Sequence, residues 1–486
     1  MNLSPSLGRL VPDSRSDRAA IGALAVLLVC GGALRLWLML AQRPGFLGYT
    51  DSQAYVQAAD TVLFGDTLRP AGYPVFLRLV HVFDTDLSGT IVAQHGLGMA
   101  TAVLLFLAVR RVGVSRWWAL LPAAVVLLSG PQVFLEHAVM SESLFGFLQA
   151  AAIYCAIRAL TGEAIPWTIA AGLLIGAGAC VRTLGLLLIP VLAVWVAASL
   201  SGPRRRRILL VGAAIAATLL PLGVYVVEQR GETGYTGLTK AGGWNLYGRA
   251  APFADCDRFD PPDGTRRLCE RRPEDRRPGP NSYIFDGSES PAHRAFDGPF
   301  AASSDESGRV NAFARAALLG QPLDWLDHVV TEDLPRYVAT ERTVRRGQGQ
   351  GFDALIDTLV DGPNAGQGLA AGANYYTTPG QFLLRGRIDA LRSYESITRV
   401  GGPVFVILFL LALCGLFAAP GHERRAALLL GAVAAVGLLG PPATLFFDAR
   451  YAMPAFGPLA ASAALGGYVA LRRLRRRDPT TRASTV

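Results

Sequence analysis

The stretch AAIGALAVLLVCGGALRLWLMLA, Ala19 to Ala41, carries a single charged residue, Arg35. Its apolar residues run as a block, with neither the alternation of a half-buried strand nor the one-sided stripe of a surface helix. A helix of this length crosses the roughly 30 Å hydrocarbon core of a bilayer. The block is also longer than the apolar core of a cleavable signal peptide. The polar stretch before it holds Arg9, Arg15 and Arg18, so the reading is a signal anchor retained as the first helix.

The pattern recurs along the chain. Of 486 residues 51% are hydrophobic and only 17% charged, a ratio that soluble domains of this length seldom sustain. Ten apolar blocks are predicted as helices, at about 20–41, 88–109, 117–132, 142–160, 166–181, 183–200, 207–226, 401–419, 424–440 and 452–471. Pro122, Pro190 and Pro221 fall inside them, which membrane helices tolerate. The expected fold class is a polytopic α-helical membrane protein of about ten transmembrane helices. Residues 1–226 form an N-terminal region of seven helices that includes a first loop, 42–87. Residues 227–400 form a large extracytoplasmic segment of mixed helix and loop. Residues 401–486 carry the last three helices and a basic tail.

The net charge of +9 does not mark a nucleic-acid binder, because the basic residues sit in short runs at the ends of apolar blocks. With the N-terminus in the cytoplasm, 18 arginines flank the cytoplasmic ends. These are Arg9, Arg15, Arg18, Arg110, Arg111, Arg116, Arg158, Arg204 to Arg207, Arg424, Arg425, Arg472, Arg473 and Arg475 to Arg477. The short loops on the other face hold five, Arg43, Arg69, Arg78, Arg182 and Arg450. This bias orients both termini inward and both long loops outward, in a cytoplasmic membrane. Cys256 and Cys269 are the two cysteines in the long external segment, and a disulfide between them suits that compartment. From Gly308 to Ala339 a helical rhythm appears, whereas Pro252 to Pro299 reads as loop.

The same topology gathers chemistry on one face. Asp51, in the stretch GYTDSQAY (48–55), reads either as a general base near the membrane boundary or as the cap of a short helix from Ser52 to Phe64. Arg69 opens RPAGYPVFL (69–77), a turn feeding an interfacial helix, and reads as an anion ligand or as a headgroup contact. Glu136, His137, Ser141, Glu142 and Ser143 lie at the external junction of the third and fourth spans. Glu142 there is a functional candidate or a carboxylate favoured by a helix N-terminus. Arg182 falls where almost no loop exists, and Arg450 follows Asp448 at the start of the last span. Asp84-Thr85-Asp86 formally matches a metal-binding Asp-X-Asp pattern, but Asp86 fits better as a helix cap. Arg35 is read as snorkelling outward.

Several of these stretches together resemble GT-C-type, polyprenyl-phosphate-dependent glycosyltransferases, the group that includes protein O-mannosyltransferases and aminoarabinose and arabinofuranosyl transferases. The resemblance rests on Asp51 after the first span, RPAGYPVFL, Ser141-Glu142-Ser143-Leu144-Phe145, and Arg450-Tyr451-x-x-Pro454. The segment with Arg315, Pro322, Trp325 and Arg336-Tyr337 adds to it. It implies a GT-C-like fold and transfer of a sugar from a polyprenyl-phosphate carrier to an acceptor hydroxyl on a glycan, lipid or protein. Asp51 would be the base, and Arg69, Arg182 and Arg450 would hold the donor phosphate. Tyr55, Tyr73, His137, Glu142, Trp244, Asn245 and Tyr247 would line the donor or acceptor cavity, with Gly243 to Tyr247 read otherwise as a structural turn. Ser52 follows Asp51 where several relatives have a second acid, which leaves a divalent-cation requirement open. The alternatives are a lipid-linked sugar flippase, needing polar groups at mid-membrane, and a non-catalytic cell-envelope assembly protein.

Overall fold

The computed structural model describes residues 15–47, 49–361, 372–377 and 382–477. Arg9, Gly48 and parts of the long segment, 362–371 and 378–381, lie outside the described residues. The chain begins with α1 (Arg15–Ala41). The first loop carries α2 (Thr50–Asp60) and α3 (Gly72–His81). Then come α4 (Leu87–Arg111), α5 (Arg116–Leu128), α6 (Gly130–Glu136), α7 (Glu142–Thr161), α8 (Ala164–Val181), α9 (Leu188–Ser199) and α10 (Arg204–Thr233). The long segment contains α11 (Ala241–Ala250), α12 (Pro280–Phe285), α13 (Pro291–Phe296), α14 (Ser304–Gly320), α15 (Pro322–Asp327), α16 (Phe352–Asp361) and α17 (Arg385–Thr398). The last three are α18 (Gly402–Ala418), α19 (Gly421–Thr444) and α20 (Ala449–Arg477).

Each predicted span coincides with an apolar helical segment. Among the described residues, seven helices (α1, α4, α7, α8, α10, α19 and α20) are long and apolar enough to cross a membrane. The count reaches nine if the bent pairs α5–α6 and α17–α18 each form one span. The tenth candidate, Thr183–Ser199, is shorter and opens with a 3-10 turn. The predicted span 117–132 runs across a break at Ser129-Gly130-Pro131. Near Ser129 the axis turns by 54° between α5 and α6. Pro122 does not end α5 and Pro221 does not end α10. The outward faces are apolar, with Val29, Val194, Leu219 and Phe417 exposed on α1, α9, α10 and α18, as a lipid-facing surface requires.

Arg35 does not snorkel. It is buried, and its guanidinium grips Glu136 through Nε–Oε2 at 2.8 Å and Nη2–Oε1 at 2.9 Å. A charge that deep stays in place only when paired and hydrogen-bonded, and sequence spacing could not show a partner 101 residues away.

The long segment builds a core of its own from Trp244, Tyr247, Phe253, Tyr283, Phe296 and Phe313. The helices expected after Gly308 form as α14 and α15, and Ser303 caps the first through a capping box with Glu306. The stretch 252–299, expected as loop, also holds the short helices α12 and α13. Trp325 Nε1 donates to the carbonyl of Ala443, docking the segment on α19. Gln42–Arg43 pairs antiparallel with Phe382–Leu383, tying the end of α1 to the far end of the segment.

Cys256 and Cys269 are disulfide-bonded across 13 residues. A loop this short gives about 3 kcal/mol of stabilisation through the unfolded state. Cys256→Ser with Cys269→Ser is therefore expected to lower the unfolding midpoint of the long segment. Protease nicking between residues 256 and 280 is expected to rise, and equal resistance in both forms would contradict this.

Candidate active site

Asp51 falls in the first turn of α2. That helix has no side-chain cap, so the carboxylate is not spent on capping. Its two oxygens meet two guanidiniums, Arg69 Nε at 2.6 Å on Oδ1 and Arg450 Nη1 at 2.8 Å on Oδ2. About 24% of the Asp51 side chain remains exposed, which leaves the group approachable from outside. Burial alone would push its pKa up. The charges of Arg450 and Arg69, together with their hydrogen bonds, outweigh it and hold the carboxyl well below the usual carboxylate range. The resulting stabilisation is present above the unfolded value near pH 4 and is lost as the pH falls through the lower folded value.

Local chemistry aims each arginine. The Asp66 carboxylate accepts from the backbone N–H groups of Leu68 and Arg69 at 2.7 and 3.2 Å, an Asx turn that presents Arg69 toward α2. Thr239 and Lys240, at the start of the long segment, clasp the same turn through the carbonyls of Leu68 and Thr67. Gly72 then opens α3 against the end of α8. A Cβ there would stand 2.5 Å from the carbonyl oxygen of Cys180, so a larger residue would push the first loop away from Arg182. Arg182 ends α8 in an extended conformation, and its Nη1 pairs with Glu142 Oε1 at 2.5 Å and donates to Ser141 Oγ at 3.1 Å. Glu142 starts α7, where a helix N-terminus favours a carboxylate, and also lies 3.8 Å from Arg450. Asp448 accepts from the Arg450 backbone N–H at 3.1 Å and lies 3.8 Å from its side chain.

Asp51, Arg69, Glu142, Arg182 and Arg450 are thus one linked cluster at one end of the helix bundle. It is drawn from α2, the following turn, α7, the end of α8 and α20. The arginine-rich ends of α4, α7 and α10 (Arg110, Arg111, Arg158, Arg204 to Arg207) lie at the opposite end of those helices. Tyr55 joins the cluster through Ser141 Oγ at 3.2 Å. Tyr73 lies behind it, fully buried, edge-on to Tyr55 and donating to Gln94. Tyrosines missed in the sequence floor the cluster. Arg450 stacks over Tyr49 and Tyr451, and Arg182 over Tyr451, at 4.7 to 5.0 Å. Both tyrosines adjoin quoted motif residues, but sequence spacing cannot reveal stacking across helices.

Other candidates lie elsewhere. His137 is fully buried between His95 and Gln42, away from the arginines. Trp244 and Tyr247 face inward from α11 with no exposed surface, so they build the core of the long segment and offer no acceptor surface. Their i, i+3 spacing is the helical signal that explains this. Asn245 is half-buried on the same helix, and Gly243 lies in that helix and not in a turn. Asp86 caps α4 by accepting from Ser88 N. Glu142 Oε2 is buried without a hydrogen-bond partner among the described residues, an acceptor position left open beside the arginines.

Comparison with known proteins adds one match to a family model. Residues 92–227 match the family model described as dolichyl-phosphate-mannose-protein mannosyltransferase. That stretch contains Glu142 and Arg182 but not Asp51, Arg69 or Arg450. A search of curated proteins found no match. Among solved structures, the Saccharomyces cerevisiae protein O-mannosyltransferase Pmt1–Pmt2 complex bound to its sugar donor is 17% identical at a TM-score of 0.36, over 48% of this chain and 36% of that one. The Archaeoglobus fulgidus oligosaccharyltransferase tethered to an acceptor peptide is 12% identical at 0.46, over 94% and 50%. ArnT from Cupriavidus metallidurans bound to undecaprenyl phosphate is 14% identical at 0.33, over 94% and 79%. The chain spans no more than half the length of the first two. Its likeness to the dolichyl-phosphate-mannose-protein mannosyltransferases, over residues 92–227, lies within the group that its motifs resemble.

Proposed function

We propose that the chain is a membrane-embedded glycosyltransferase that moves a sugar from a polyprenyl-phosphate carrier to an acceptor hydroxyl on the extracytoplasmic face of a bacterial cell membrane. The observation that carries this reading is the single cluster of Asp51 with Arg69, Arg182 and Arg450. A carboxylate that can take a proton stands linked to guanidiniums that can hold a lipid phosphate, which supports this reading. The acceptor oxygen attacks the anomeric carbon while the bond from that carbon to the phosphate oxygen breaks. The hydroxyl proton passes to Asp51. The electron pair of the broken bond stays on the phosphate, and the arginines stabilise the added charge. Direct attack opposite the leaving phosphate inverts the anomeric centre. A divalent cation is not assigned.

In the resting arrangement every arginine of the cluster already carries a carboxylate, so donor binding is an exchange of partners. As Arg69 and Arg450 turn toward the phosphate, Asp51 loses the charges that make it a poor base and its pKa rises. A kinetic signature follows. The kcat/KM profile, which reports the free protein, should stay flat through mildly acidic pH. The kcat profile, which reports the donor complex, should show an acid limb at higher pH. Identical acid limbs in the two profiles would argue against the exchange.

Incubation of the purified full-length chain with a panel of polyprenyl-phosphate sugars tests the reading itself. Release of polyprenyl phosphate with a β- or α-glycoside opposite in configuration to the donor is expected. No release from any donor, with the chain folded, would count against it. The flippase alternative draws on polar groups inside the bundle, and Arg35, Glu136, His95 and His137 are such a set. Yet these groups bond to one another and are almost fully buried, leaving no open site for a sugar.

A further inference from the structure

The break between α5 and α6 leaves helical carbonyls without their usual partners, and a buried break must satisfy them. Arg35 does so from α1. Its Nη1 donates to Leu127 O at 3.0 Å and its Nη2 points to Val126 O at 3.5 Å, while Tyr394 Oη donates to Leu128 O at 2.6 Å. The same guanidinium holds Glu136, the last residue of α6, by two hydrogen bonds. One side chain therefore grips the end of α5 and the end of α6 together. Gly98 on α4 makes the space, because a Cβ there would lie 2.0 Å from Glu136 Oε1.

From Glu136 the bonding runs on to the active-site segments. His95 Nδ1 lies 3.2 Å from Glu136 Oε2, His95 Nε2 3.2 Å from His137 Nδ1, and His137 Nε2 2.9 Å from Gln42 Oε1. Gln94 donates to the carbonyls of Glu136 and Ala138 at 3.0 and 2.7 Å. Phe46 then bridges to the stretch after α6, its N–H on His137 O at 2.9 Å and its carbonyl accepting from Val139 N at 3.1 Å. The stretch entering α2, which delivers Asp51, and the stretch entering α7, which delivers Ser141 and Glu142, are joined directly above the Arg35–Glu136 pair.

We infer that Arg35 and Glu136 are positioning residues. Together they lock the broken span so that Asp51 and Glu142 stand at the separation that Arg450 bridges. The kinetic part of this inference rests on the glycosyl-transfer reading; the structural part does not. Lysine at position 35 keeps the charge but lacks the planar fork needed to serve Glu136 and the α5 carbonyls together. Gly98→Ala leaves every charge in place and displaces the Glu136 carboxylate sterically.

The test uses the full-length chain with either substitution and three readouts: the unfolding midpoint, kcat and donor KM for transfer, and amide hydrogen exchange of peptides covering 42–49 and 137–142. Both variants should exchange faster in those two peptides while α10 keeps its protection. A misplacement of this kind should lower kcat by about 10²-fold, with donor KM moving far less. Wild-type kcat in the folded fraction, together with unchanged exchange in the two peptides, would overturn the assignment. If Arg35→Lys fails to fold, Gly98→Ala decides on the same readouts. If the unaltered chain transfers sugar from no donor, the proposed function falls and the exchange data alone judge the clamp.

Discussion

Asp51→Asn is expected to abolish transfer while leaving a folded protein. Asparagine matches the shape of aspartate and still accepts a hydrogen bond from Arg69 or Arg450, but it cannot take the acceptor proton. Loss of a positioned general base lowers rates by about 10²–10⁴-fold. The stability cost should be about 1–3 kcal/mol, because asparagine can keep a hydrogen bond to one arginine while the charge pairing with Arg69 and the buried Arg450 is lost. Donor binding should hold or tighten, since two guanidiniums are released to the phosphate. Activity is measured as release of polyprenyl phosphate, and donor affinity by titration in the absence of acceptor. Near-normal transfer by the variant would remove Asp51 as the base.

Arg450→Gln is expected to act on both fold and chemistry. Arg450 touches Asp51, lies near Glu142 and Asp448, and stacks on Tyr49 and Tyr451. Its removal leaves the buried Asp448 and Glu142 short of positive charge, and stranding buried acids in this way costs about 3–5 kcal/mol. Lost stabilisation of the leaving phosphate should lower kcat by about 10²–10³-fold. Arg450→Lys separates the two effects. It restores charge, and with it most of the stability, but not the flat stacking between two tyrosine rings. Thermal unfolding in detergent and single-turnover transfer read the two effects independently. A stable, fully active Arg450→Gln protein would leave Arg69 and Arg182 as the phosphate ligands.

Hydropathy located the helices because their burial in lipid is written in composition alone. The predicted span 117–132 runs across the kink after Leu128, although Ser129-Gly130-Pro131 is a breaker signal there, and the compensating donor, Arg35, arrives from another helix. The five residues of the cluster were legible for a related reason. Alternating spans place loop ends on known faces, so Asp51, Arg69, Glu142, Arg182 and Arg450 could be assigned to one side without any distances. Their pairing was not legible, because contacts such as Asp51 with Arg450 depend on helix packing that spacing does not encode. His137 misled for the opposite reason. It shares a face with Glu142 in sequence, yet the turn at the end of α6 directs its ring inward to His95. Trp244 and Tyr247 look like sugar-stacking aromatics, and the amphipathic period of α11 makes them core.

The ion pair between Asp51 and Arg450 joins residues 399 positions apart. A ribosome delivers the first partner early and the second only when the last long helix emerges. A partly made chain, inserted up to α19, would present Asp51 without its distal guanidinium and Glu142 without its second neighbour. Arg450 arrives only with α20, so a chain terminated before that helix lacks the complete cluster.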